Sequence, residues 1–78
     1  MPHAECARCK ELLDEAAVAI LRHVRAVGQL ESARLRRDEA AAAEMEAAVR
    51  EASLQRENAV ALYHSHHSTH AAAKSGAA

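Results

Sequence analysis

The chain has 78 residues, enough for one domain whose core is too small to be secure without a staple, a metal or a partner. Two glycines, one proline and a single aromatic residue, Tyr63, interrupt a composition dominated by strong helix formers, and no segment shows the alternating, β-branched pattern of a strand. The fold class is therefore all-α, and the near-balance of 10 basic and 11 acidic residues, a net charge of −1, offers no field for phosphate and argues against nucleic acid.

Met1 to Lys10 is polar and lacks an apolar leader core, and the longest apolar run, Ala16 to Leu21, is far too short to span a bilayer. No membrane association is expected. The expected compartment is the cytoplasm, where paired cysteines serve as thiols or metal ligands more often than as a structural disulfide. Pro2 suits the entry to a first helix of about residues 4–36, and Glu5 is favourable to its dipole. The apolar positions Leu13, Ala17, Ile20, Val24 and Val27 follow steps of four and three. Leu12, Ala16, Ala19 and Leu30 widen that stripe, which has the form of a face built to meet another helix. His23 flanks it and reads as an interface histidine rather than a ligand.

Two positions suit a chain reversal. Gly28 could end the first helix, but Leu30 and Leu35 keep the apolar phase through it, and an internal glycine costs a helix only about 1 kcal/mol. The segment Arg36 to Glu39 is favoured: Asp38 is a good N-cap, Glu39 suits the start of a helix, and two nearly equal arms of about 45–50 Å result. Arg34, Arg36 and Arg37, followed at once by two acids, then read as a solvated turn. One unbroken helix in a parallel coiled coil stays open, because no Gly or Pro separates Gln29 from Ser75. The second helix, of about residues 39–70, carries Met45, Val49, Ala52, Ala59 and Tyr63 in steps of four and three, with Arg56 in the gap. Arg56 is expected to snorkel or to pair with a glutamate, and Tyr63 to cap one end of the core. Lys10 with Asp14, and Glu46 with Arg50, are opposite charges four residues apart on solvent-facing sides. The tail 71–78, rich in small residues, is expected to fray.

Two donor clusters stand near the ends. Cys6 and Cys9 form a C-x2-C, and His64, His66, His67 and His70 lie in one short polar stretch. With a reversal near residue 38, positions whose numbers sum to about 76 oppose each other. Cys6 then faces His70, and Cys9 faces His66 or His67. Two thiols and two imidazoles suit tetrahedral Zn²⁺ in a closed, structural site that would clamp the open end of the hairpin. The donor types resemble those of Cys2His2 zinc modules, but only over those residues. A finger holds its pairs about twelve residues apart, whereas here nearly the whole chain intervenes, so no zinc finger is expected. The C-x2-C alone would suit a dithiol redox site, but the βαβ setting of thioredoxin-like proteins is missing.

A hairpin has one mutual interface and leaves flank positions such as Leu12, Leu21, Leu54 and Leu62 in need of cover. Pairing two hairpins yields a four-helix bundle, so a homodimer is expected, with Leu13, Ile20, Val24, Val27, Met45, Val49 and Tyr63 at helix contacts. The leading functional reading is a structural or protein-interaction module that bundles with itself or with a helical protein partner. The alternatives are a zinc-binding hairpin joined at its chain ends and a small thiol-redox protein. Ser32 and Ser53 lack a recognisable base or oxyanion loop, and no enzyme is expected.

Overall fold

In a computed structural model the chain is described over residues 6–77, with side chains through His70. Two α-helices, α1 (Ala7–Leu35) and α2 (Glu39–Ala77), pack against each other as an antiparallel hairpin measuring 59 × 18 × 14 Å. Residues 4 and 5, expected in the first helix, lie outside the described residues, as do the side chains of the tail expected to fray. No helix among the described residues is long and apolar enough to cross a membrane.

The reversal occupies Arg36–Asp38, and Gly28 lies inside α1 with a helical backbone. Arg37 takes the left-handed conformation, φ 59°, that usually belongs to glycine. Its N–H donates to the carbonyl of Arg34, and the N–H of Asp38 donates to that of Ala33, both at 3.0 Å. These two bonds are the Schellman pair that satisfies the last carbonyls of a helix. Asp38 then opens α2 at once: its Oδ1 accepts the N–H of Ala41 at 3.0 Å, and its carbonyl accepts that of Ala42 at 2.9 Å. A side-chain cap of this kind contributes about 1 kcal/mol. One helix ends and the next begins within three residues, so the arms are forced side by side.

The contact seam on α1 is Cys9, Leu12, Ala16, Ala19, His23, Ala26, Leu30 and Ala33, in unbroken steps of three and four; of these Leu12 and the four alanines are buried. On α2 the matching row runs Ala42, Met45, Val49, Ala52, Arg56, Ala59, Tyr63 and His66, in which Ala52 is buried, Arg56 is exposed and the rest are half-buried. This is the coiled-coil period, with alanine at four of the eight α1 positions and three of the eight α2 positions. The sequence reading set Leu13, Ala17, Ile20, Val24 and Val27 at the centre of the α1 face. They form instead a second stripe beside the seam: Ile20 is half-buried, while Leu13, Val24 and Val27 are 51%, 59% and 40% exposed. The physical reason is shape, since the small side chains of Ala16, Ala19, Ala26 and Ala33 let the helices mesh around the larger Leu12 and Leu30.

Polar rungs fix the register. Near the turn, Arg34 donates to Glu46 at 3.0 Å. Glu46, expected to pair along α2 with Arg50, thus reaches across to α1. Midway, Arg56 Nη1 lies 3.1 Å from His23 Nδ1, so the polar residue interrupting each seam row meets the other. Arg56 therefore finds an imidazole rather than a glutamate. With guanidinium as the donor, that ring nitrogen is the acceptor. Arg8 pairs at the surface with Glu11 at 3.2 Å and with Glu15 at 3.9 Å, contacts worth a few tenths of a kcal/mol at most.

A methyl added at Gly28 would meet nothing within 4 Å. Gly28→Ala should therefore stabilise the protein by about 0.5–1 kcal/mol through helix propensity and unfolded-state entropy. Thermal unfolding followed by circular dichroism should show a rise of a few degrees; a fall would contradict the placement of Gly28 on an open helical surface.

Candidate metal centre

The site lies at the open end of the hairpin, where both seam rows change from apolar residues to ligand types. Continuing the α1 row below Leu12 reaches Cys9; continuing the α2 row beyond Ala59 and Tyr63 reaches His66 and then His70. Cys6 joins from outside the helix. It is the N-cap of α1, with extended backbone (φ −71°, ψ 104°), and its Sγ accepts the N–H of Cys9 at 3.2 Å. A cysteine thus does the work usually done by serine or aspartate, and the cap turns Sγ toward the helix end and toward α2.

Around Cys6 Sγ stand His70 Nε2 at 3.3 Å and His66 Nε2 at 3.4 Å, and the two Nε2 atoms are 3.1 Å apart. One donor atom from each of Cys6, Cys9, His66 and His70 lies within 4.8 Å of all the others, so the four could hold a metal ion. Cys6, Cys9 and His66 are half-buried, and His70 sits at the exposed rim. The two imidazoles meet edge to face with ring centroids 4.8 Å apart, as residues one helical turn apart can. His67 is not part of the group: its ring is edge-on to Tyr63 at 5.8 Å, on the neighbouring strip of α2. His64 likewise turns to Tyr63, at 5.6 Å.

The separations suit one small ion. Four ligands at about 2.0–2.1 Å for nitrogen and 2.3 Å for sulfur around a tetrahedral centre place neighbouring donors about 3.3–3.8 Å apart. The contacts at 3.1, 3.3 and 3.4 Å fall close to that range. Without an ion, one Nε2–H donates to the other Nε2, and the two rings share a single proton.

The two thiols are electronically unequal. Hydrogen bonding from the Cys9 side chain, then from His66, and then from the Cys9 backbone N–H lowers the Cys6 pKa from its ordinary 9.0 to about 6. These effects outweigh desolvation, which acts in the opposite direction. Cys9 shifts upward, chiefly because its thiol donates to Cys6, with desolvation and the Cys6 charge adding to the effect. The helix start favours the same distribution, with a thiolate at the cap. Both cysteines are free thiols, so one soft anionic donor is in place near neutrality and the second is held in reserve.

Continuing the α2 steps of four and three past Tyr63 gives 66 and 70 and passes over 67, a signal sufficient to separate His66 from His67. The capping role of Cys6 had no such signal, since cysteine carries little weight as an N-cap.

In metal-free, reduced protein, alkylation of Cys6 should rise with pH through a midpoint near 6, as its thiolate forms. Cys9 should react only at clearly higher pH. Mass spectrometry of single-cysteine peptides from a pH series reads both midpoints; equal midpoints in the ordinary thiol range would contradict the capped-thiolate geometry.

No protein-family model, curated protein or solved structure matches this chain, and the functional reading rests on the residues and geometry just described.

Proposed function

We propose that the protein is a zinc-binding helical hairpin in which Cys6, Cys9, His66 and His70 form a structural site joining the two ends of the fold. The observation that carries this reading is the convergence of four soft and borderline donors within 4.8 Å of one another, with Cys6 Sγ meeting two imidazoles 60 or more residues away at 3.3 and 3.4 Å, close to the edges of a zinc tetrahedron. Four protein ligands fill the tetrahedral shell and leave no open position for a substrate, so the role is structural and no catalytic step is assigned.

The energetics support a metal at this end. Among the described residues the buried core is one leucine and five alanines, and a methyl group contributes little hydrophobic free energy compared with a buried leucine or phenylalanine. The turn fastens one end of the hairpin through its caps. An ion at the other end would close a loop of nearly the whole chain, where cross-linking removes the most unfolded-state entropy. Zinc, rather than calcium or magnesium, follows from the donors: thiolate and imidazole are poor partners for hard cations.

Reduced protein titrated with Zn²⁺ should bind one ion per chain and gain thermal stability, and Co²⁺ should give the visible absorption of a tetrahedral thiolate site. His70→Ala and Cys9→Ser should each weaken binding by at least about 100-fold, beyond the loss that removal of an outer-shell partner causes. His67→Ala should leave affinity unchanged, because that ring sits beside Tyr63. Reduced protein that binds no metal, or a His67→Ala loss equal to that of His70→Ala, would refute the assignment.

A further inference from the structure

The second apolar stripe on α1 has no partner among the described residues, and its charges carry information about what covers it. In order it runs Lys10, Leu13, Ala17, Ile20, Val24, Val27 and Glu31, in the same steps of three and four as the seam, over about 30 Å of helix at 1.5 Å per residue. Among the described residues neither terminal charge is in an ion pair. We infer that a second copy of this chain covers the stripe, with the two α1 helices antiparallel about a two-fold axis at Ile20, so that Lys10 of each copy meets Glu31 of the other.

The orientation follows from electrostatics. An antiparallel pairing that puts Ile20 opposite itself sets Leu13 against Val27 and Ala17 against Val24, and it brings Lys10 to Glu31 at both ends. A parallel pairing places lysine beside lysine and glutamate beside glutamate. Like charges facing across a helix interface disfavour that arrangement, while opposite ones select the other.

The second helix supplies an independent geometric argument. Arg34 lies two heptads beyond Ile20 on α1, and Val60 lies two heptads beyond Glu46 on α2, so the 3.0 Å Arg34–Glu46 pair places Ile20 and Val60 on the same side of the hairpin. The same register sets Val60 level with Ile20. Both side chains are half-buried, the state expected of residues at the margin of a hairpin seam that a further pair of helices would finish covering. A two-fold axis at Ile20 thus stacks an isoleucine and a valine from each copy at the centre of a four-helix bundle. The opposite side of the seam on α1 carries Glu15, Arg22 and Gln29 and offers no matching surface. α1 thus meets α2 through one strip and its copy through the adjacent one, two neighbours at roughly a right angle, as a helix of a four-helix bundle has.

This assembly uses no ligand of the metal centre, and its test is independent of metal content. Light scattering coupled to size exclusion, or sedimentation equilibrium, at about 0.1 mM protein should give twice the 8.4 kDa chain mass. Val24 is 59% exposed and off the seam, so Val24→Glu leaves the packing within the chain intact; it should yield a monomer whose helical circular dichroism is unchanged. Lys10→Glu should weaken the dimer about three- to tenfold through two repulsive contacts, and Lys10→Glu combined with Glu31→Lys should restore it. A wild-type mass equal to one chain, a dimer that persists in Val24→Glu, or a double exchange no tighter than Lys10→Glu alone would overturn the proposal.

Discussion

Close approach of two backbones over alanine is the constraint from which the rest of this molecule follows. The buried alanines, four on the α1 seam and Ala52 on α2, let the helices meet over small side chains, flanked in the same rows by Leu12, Leu30, Met45 and Val49. Such contact is specific, because a larger side chain at one of these buried alanines would force the helices apart. It is also thin. The interior is a line rather than a volume, so the hydrophobic term that stabilises larger domains is small and the ends of the hairpin carry unusual weight.

The two ends are secured by different means. At the turn the chain uses only backbone geometry and one carboxylate: Arg37 accepts a left-handed conformation so that the carbonyls of Ala33 and Arg34 are satisfied, and Asp38 caps α2 without a spacer. At the far end each seam row changes to cysteine and histidine, and among the described residues no large apolar side chain follows them there. Between them the His23–Arg56 contact places a polar rung where slippage by a turn would leave both groups facing methyl groups. A polar pair of this kind, with Arg56 exposed, specifies register more than it stabilises.

Much of the architecture is legible in the residues. The all-α class follows from composition, and the hairpin from steps of three and four on two arms flanking Asp38. The choice of seam was less legible, because scales of apolarity rank Leu13, Val24 and Val27 above Ala16, Ala19 and Ala26. Packing of two helices is decided by shape at the contact, and there a methyl can outrank an isobutyl group. The meeting of Cys6 with His70 could be read from arithmetic on the turn position, and Cys9 with His66 from periodicity. The His23–Arg56 contact could not: its numbers sum to 79 rather than 76, and the arithmetic on the turn sets His23 against Ser53, about one helical turn short of Arg56.

The position of Cys6 has a mechanical consequence. It is the residue at which α1 starts, and His70 lies beside it on the other arm, so tension reaching the hairpin through these two points peels the helices apart rung by rung instead of shearing the whole seam at once. Peeling loads one contact at a time, and an alanine rung resists little. A clasp at the first rung therefore sets the force at which the whole zipper begins to open, whatever the strength of the rungs behind it.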